Sequence, residues 1–506
     1  MEHIPKEAKA IGYQWLIDHF KLTVIPYYRS SYLIDHGSIK VLKDRHPIIY
    51  LYTSDYALDN PDNPLKHLIF ALNHEGLNLE IISGIFAKIP ADTIQNYVNK
   101  QPTGKYERIV WYLYENLTGT KLSIPDVKFD HYIDLLNTEE YYTCTPIPEK
   151  RYGINNNLLG DMRFCPFVRK TDSLKTIELK NLDHIARNII KPYDHDIVVQ
   201  TSNSLHKQET LASYDIGNNR PNKRRIDDTI EFSKNCKPEA VLTGEILIRL
   251  QNNLVDKEFI NTTYRKSQNY IGQSIDHKNQ IIGYISPKPD VVDELMAGLL
   301  NSTERMISSN IHPIIIATTL SFGLLFIHPF RDGNGRLHRF LIHYILMRTK
   351  FTSQEIILPI SGIMFANMQQ YNAILAHFSK LVINAITDYD LSEEGVLTVN
   401  QDTTSFYRYI DYTVETEYIA QCIDIIVTKN LKNELEFQKN YTVTKQKLSE
   451  IAEMPDQLYD LFILLVIQNK GKLAQAKRKA QFKKLSDDEI KRMELVVQTT
   501  MLANGS

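Results

Sequence analysis

Residues 328–339 read His-Pro-Phe-Arg-Asp-Gly-Asn-Gly-Arg-Leu-His-Arg. Their types and spacing assemble parts for chemistry on phosphate. Asp332 is an oxygen ligand suited to Mg²⁺. Gly333, Asn334 and Gly335 can bend so that backbone N–H groups converge on an anion. The chain then enters a helix, whose N-terminus adds partial positive charge. Arg336 and Arg339 lie at i and i+3 on that helix and point the same way. His328 precedes the cradle, where it can take a proton from an attacking group.

The elements around this stretch must hold it rigidly. Leu337, Phe340, Leu341, Tyr344 and Ile345 form an amphipathic helical stripe downstream. Upstream, Ile311 to Ile327 is a mostly apolar run of borderline length for a membrane span. It contains His312, Pro313, Thr318, Thr319 and Ser321 and feeds into the polar loop, so it is expected to be a buried central helix. The site is then a loop between two core helices, a stiff mount for catalytic groups.

The stretch resembles the motif of the Fic (filamentation induced by cAMP) family, His-x-Phe-x-(Asp/Glu)-Gly-Asn-Gly-Arg-x-x-Arg. His328, Phe330, Asp332, Gly333, Asn334, Gly335, Arg336 and Arg339 match every fixed position. The resemblance implies a protein adenylyltransferase that moves AMP from ATP to a Ser, Thr or Tyr hydroxyl of a protein, with this chain itself a possible target. It implies that His328 deprotonates that hydroxyl and that Asp332 holds Mg²⁺ (or Mn²⁺) against the phosphates. It further implies that Gly333, Asn334 and Gly335 cradle those phosphates, that Arg336 and Arg339 clamp them, and that Phe330 packs in the core. Arg331 and His338 stand at variable positions and are expected to be solvated or behind the site. The implied fold is mainly α: a Fic-type helical core with a small β-hairpin flap, flanked by mostly helical N- and C-terminal domains.

Three further segments resemble family elements. Tyr264 to Val292 has a hairpin pattern and looks like the family's flap, whose edge pairs with the target backbone. Ile282, Gly283 and Tyr284 are the candidates for that pairing; a hairpin that touches no target fits the pattern too. Thr210 to Asn219 resembles the inhibitory motif (Ser/Thr)-x-x-x-Glu-(Gly/Asn): Ser213 and Asn218 match, and Gly217 stands where the glutamate belongs. Read without the family, Gly then Asn is a helix end. The resemblance implies release from autoinhibition through Gly217. Asn367 to Leu375 resembles the helix that lines the nucleobase pocket. There Tyr371 can stack on a base and Asn372 can bond its edge; a core tyrosine fits equally.

The chain has 506 residues, enough for about three domains. With 43% hydrophobic and 23% charged residues it has the composition of a folded globular protein. A formal charge of −2 gives the whole chain no pull toward nucleic acid or an anionic membrane. Cys144, Cys165, Cys236 and Cys422 are far apart, which suggests neither a zinc site nor a disulfide framework. The N-terminus lacks a basic start followed by an apolar stretch, so a cytoplasmic protein is expected, with secretion as an effector left open. Three segments are expected: 1–185, mixed and mostly helical, for recognition or scaffolding; 186–390, holding the Fic core, inhibitory element and flap; 391–506, helical.

Within the last, Asn469 to Lys484 carries seven basic residues and no acid. It is either a solvated helix face or a contact for nucleic acid or an acidic partner. It supports the competing reading, a DNA-binding regulator with a nucleotide-sensing Fic core. Among enzymes, removal of AMP or transfer of another nucleotidyl or phosphate-linked group are the alternatives.

Overall fold

A computed structural model describes residues 4–43, 47–218, 222–239, 241–274, 280–352 and 356–502. The chain is mainly helical, with small sheets. It divides into two compact units. The larger comprises Met1–Thr176, Lys237–Thr349 and Met364–Ala420; the smaller comprises Ile177–Cys236, Lys350–Ile363 and Gln421–Ser506. The sequence pattern suggested three consecutive segments, whereas the units interleave along the chain. Apolar faces pack by complementarity and not by order, so a segment can belong with partners far away in sequence.

In the larger unit, the N-terminal part holds a four-stranded sheet in the order Lys9–Ile11, Arg29–Ile34, Ile48–Thr53, Lys40–Leu42. Strand Ile48–Thr53 pairs parallel with Arg29–Ile34 and antiparallel with Lys40–Leu42. Helix Lys105–Thr118 buries Trp111, Leu113 and Tyr114 in a separate core of the same unit. Residues around 156–164 dock onto helix Val292–Ser308. Gly298 allows this approach, since a Cβ there would meet Phe164 Cβ at 2.7 Å. Ser302 donates to Phe164 O (2.7 Å), and Arg305 donates to Leu158 O (2.8 Å).

The two core helices are Pro313–Ile327 and Asn334–Arg348. Pro313 sits at the first helical position, where its missing N–H costs nothing. The downstream helix is buried on nearly every side from Leu337 to Met347, not along one stripe. It is enclosed by the unit, which is why His338 and His343 lie inside as well. No helix among the described residues is long and apolar enough to cross a membrane.

The smaller unit contains helices His195–Ile216, Lys223–Asn235 and Leu431–Ser449, followed by Asp456–Gln468, Gln475–Gln481 and Asp487–Val497. Leu448, Phe462, Ile463, Phe482 and Met493 share its core. Ser486 and Glu489 form a reciprocal capping box at the start of the last of these helices.

Candidate functional site

The upstream core helix ends on His328, whose backbone is left-handed (φ 52°, ψ 57°). A side-chain-bearing residue there costs roughly 1–2 kcal/mol. The backbone N–H of His328 donates to Leu324 O at 2.8 Å. Its Nδ1 lies 3.1 Å from Leu325 O. A carbonyl can only accept, so Nδ1 carries the proton in this bond and Nε2 keeps its lone pair. Burial pushes the imidazole pKa down to about 4, and the Arg265 guanidinium adds to the fall. His328 is therefore neutral near pH 7, in the tautomer a general base requires.

The loop after it is braced from within and beneath. Asn334 Oδ1 accepts from Phe330 N–H (3.1 Å), and its Nδ2 donates to Phe330 O (2.7 Å). The side chain of Asn334 thus shapes the loop instead of projecting from it. Gly333 has φ 86°, and a Cβ there would meet Val255 Cγ1 at 2.4 Å. Gln251, on helix Gly244–Leu254, donates from Nε2 to Asp332 O at 3.0 Å. Glycine is demanded at 333 by both conformation and space.

Gly333 is the N-cap of the downstream helix, so the N–H groups of its first turn lack helical acceptors and can face an anion. Arg336 pairs with Asp332 Oδ2 one turn back. Arg339 is buried beside the Tyr371 hydroxyl; burial raises that hydroxyl's pKa and Arg339 opposes the rise. Among the described residues no three His, Cys, Asp or Glu side chains are grouped to hold a metal ion. The loop offers one half-exposed carboxylate, Asp332. That suits a divalent cation arriving with phosphate oxygens and water, not one caged by protein alone.

Sequence reasoning missed Arg265. It is 5% exposed and bonded only to backbone. Its Nε donates to His328 O (2.8 Å) and its NH1 to Ser267 O (2.9 Å). Its NH2 reaches Pro287 O (2.6 Å) and Ile327 O (3.4 Å), and its backbone N–H donates to Pro329 O (2.8 Å). Burial among carbonyls lowers its pKa to about 10. One guanidinium thus ties both feet of the hairpin to the start of the 328–335 loop. The sequence held a single trace of it, an arginine directly before the hairpin.

The hairpin pairs strands Tyr270–Ser274 and Gln280–Ile285 antiparallel, with a bulge at Ile271/Gly272. The polar turn at 275–279 lies outside the described residues. Of the three candidates for target pairing, Gly283 is exposed, Ile282 is half-buried and Tyr284 is buried. Tyr284 anchors the hairpin through its hydroxyl on Phe326 O. The exposed apolar side chains are instead Ile271 (50%) and Ile281 (59%).

On helix Met368–Ala385, Tyr371 is buried between His338 and Tyr418, and Asn372 is exposed. Tyr371 therefore packs as a core ring, because Arg339 and two aromatic neighbours enclose it. His338, expected to be solvated or behind the site, is wholly buried with its ring edge-on to Phe322. Arg331 is exposed.

The Ser213–Asn218 segment belongs to the smaller unit and ends helix His195–Ile216. Asn218, not Gly217, takes the left-handed conformation (φ 50°). Gly217 has φ −80°, and a Cβ there would meet nothing nearer than Tyr214 O at 3.6 Å. Any residue fits that backbone, so the helix end gives no reason for glycine at 217. Asn219 lies outside the described residues.

Residues 241–346 match the Fic/DOC family. The chain is 26% identical over 200 residues to a protein adenylyltransferase Fic of Drosophila willistoni, covering 39% of this chain and 33% of that one. It is 34% identical over 91 residues to the protein of that name from Culex quinquefasciatus, covering 17% and 16%. The chain thus spans a third or less of the length of these curated relatives. A solved Fic family protein from Desulfovibrio desulfuricans G20 is similar with a TM-score of 0.36 and 16% identity, over 64% of this chain and 84% of that one. A Fic domain containing signaling protein from Bacteroides thetaiotaomicron VPI-5482 gives 0.36 and 13%, over 53% and 97%.

Proposed function

Taking residues 241–346 as a Fic-type domain, we propose that this chain is a protein adenylyltransferase that moves AMP from ATP to a Ser, Thr or Tyr hydroxyl of a protein. The observation that carries the reading is His328: a neutral imidazole with its Nε2 lone pair available, set at the entrance of a glycine cradle. His328 takes the hydroxyl proton as that oxygen attacks the α-phosphorus. The bond from the α-phosphorus to the bridging oxygen breaks, and pyrophosphate leaves with the electron pair. The first-turn N–H groups, Arg336 and Arg339 hold the growing negative charge. A divalent cation, Mg²⁺ or Mn²⁺, would neutralise phosphate charge, with Asp332 to hold it. Arg265 keeps the carbonyls behind His328 in place, so the base meets its target in one geometry.

The test is incubation of the full chain with α-labelled ATP and a cell lysate, followed by mass spectrometry of labelled proteins. His328→Ala should keep the fold and ATP binding and lower transfer on the order of 10²–10⁴-fold. Near-normal transfer by the folded variant would overturn the assignment.

Gly217 belongs to this proposal. A glutamate at that position would supply the carboxylate that the inhibitory motif carries and this chain lacks. The chain as it stands should therefore label itself. Gly217→Glu should suppress that labelling and Gly217→Ala should not, since φ −80° accepts either residue. Equal labelling by all three chains would reduce the segment to a helix cap.

A further inference from the structure

Within the larger unit lies a cavity of about 360 Å³ that no residue of 328–339 lines. That is within the size range of small-molecule sites. Its walls are dominated by rings: Tyr27, Tyr28, Tyr141, Phe167, Phe378 and Tyr409. Such walls favour a flat, polarisable occupant that can stack or meet ring edges.

The charges at the walls are already balanced. Arg169 Nε donates to Asp411 Oδ2 at 2.8 Å, and the same guanidinium lies 4.2 Å over the Tyr28 ring. His377 Nδ1 is 3.4 Å from Glu415 Oε1. Glu80 accepts from Ile25 N–H at 2.8 Å, and burial pushes its carboxyl up to about 8, so it is mostly uncharged at neutral pH. A charged occupant would have no counter-charge to meet and would lose its hydration.

The tyrosine hydroxyls add direction. Tyr27 OH donates to Glu75 O at 2.9 Å, because a carbonyl cannot donate. Its 3.4 Å contact with Tyr141 OH then needs Tyr141 as donor. The 3.2 Å contact between Tyr28 and Tyr141 in turn needs Tyr28 as donor. The chain of protons runs Tyr28 to Tyr141 to Tyr27 to Glu75 O. Tyr28, at its head, has spent its hydrogen and offers only lone pairs.

One wall residue leads to the catalytic loop. The Phe378 ring is 4.4 Å from the Phe326 ring and 6.4 Å from the Tyr284 ring. Phe326 is two residues before His328, and its carbonyl accepts from the Tyr284 hydroxyl that anchors the flap.

We propose that this cavity is an effector site for an uncharged, planar heteroaromatic molecule that donates an N–H to Tyr28, and that its occupancy is read at the flap through Phe378. The site stands apart from the transfer chemistry and is tested without it. Indole is the probe; benzothiophene matches its shape without the N–H, and indole-3-carboxylate and tryptamine add a negative and a positive charge. Binding to the full chain is followed by saturation-transfer NMR titration, and the flap by hydrogen exchange of Gln280–Ile285.

Indole should bind with Kd on the order of 0.1–1 mM. Benzothiophene should bind about 5–10-fold more weakly, the worth of one buried hydrogen bond, and both charged analogues more weakly than indole. Tyr28→Phe should bring indole down to the level of benzothiophene. Leu381→Trp, which fills the cavity from its wall, should abolish binding; if that variant does not fold, Tyr28→Phe decides alone. Indole at saturation should slow exchange in Gln280–Ile285. Equal affinity for indole and benzothiophene, an undiminished preference in Tyr28→Phe, or full binding by folded Leu381→Trp would overturn the site. Unchanged exchange in the flap at saturation would overturn the link through Phe378.

Discussion

Two buried charges in the larger unit are satisfied in opposite ways. Glu115, with its side chain fully buried, is met chiefly by side chains: Arg151 (2.9 Å), Lys121 (2.9 Å), Trp111 Nε1 (2.8 Å) and Tyr152 OH (2.8 Å), with the Leu122 backbone N–H (3.0 Å) added to them. Burial alone would raise its pKa, but Arg151 and Lys121 hold it well below the usual carboxylate range. Arg265 has no carboxylate among its bonded partners; carbonyls from the two hairpin feet and the end of the core helix surround it. The first arrangement links side chains that pack together and so strengthens one core. The second links pieces of backbone that must keep a fixed spacing and so sets the shape of a site. A buried ion met by side chains is a matter of stability, whereas one met by backbone is a matter of geometry.

The contrast can be broken most forcefully at Glu115. Glu115→Gln should cost about 3 kcal/mol in urea unfolding, the low end for a broken buried pair because Arg151 and Lys121 reach solvent. Its transfer rate per folded molecule should be unchanged. The parent's advantage should be complete above the unfolded carboxyl pKa of about 4.3. It should shrink progressively as pH falls from there toward the lowered folded value. An advantage that persists undiminished to pH 2 would contradict the pairing.

Arg265 should show the reverse pattern. Arg265→Met is expected to lower kcat on the order of 10²-fold, the cost of a small displacement of a catalytic group, with a much smaller change in KM for ATP. Arg265→Lys should not recover it, because one ammonium cannot replace a planar fork that spans four carbonyls. A loss of stability with kcat intact would make Arg265 another Glu115.

The finest test concerns His328. With its pKa pushed down to about 4, its imidazole NMR signals should stay flat from pH 8 to pH 5.5 and move only below that. A histidine at its ordinary value would be about nine-tenths protonated by pH 5.5. A midpoint near 6.5 for His328 would show that its imidazole is not buried as described.

Much of this was legible in the sequence. Eight fixed residues in 328–339 announced the cradle, and the apolar run before it announced the buried helix. What escaped depends on which backbone lies beside a side chain after folding. Arg265 carries no periodicity and no charged partner in sequence. Asn334 looked like a ligand for phosphate, and its amide instead closes the loop, a role visible only once the turn brings Phe330 within reach. Tyr284 and Tyr371 share the same cause: a tyrosine on a strand or helix gives no hint in sequence of which neighbours enclose its ring. Gly217 was read partly as a helix-end glycine, and the left-handed residue is its neighbour Asn218.

The interleaving of the two units sets a practical boundary on dissecting this chain. Tyr193 bonds Glu436, Gln200 bonds Thr442 and Gln208 bonds Glu434, all inside the smaller unit. Trimming at residue 420 would strand Ile177–Cys236 without those partners, while trimming at 349 would also take Phe378 and Tyr407 from the larger unit. No single cut frees a minimal core; an excised version must rejoin three stretches of chain, with new linkers where the smaller unit now threads through.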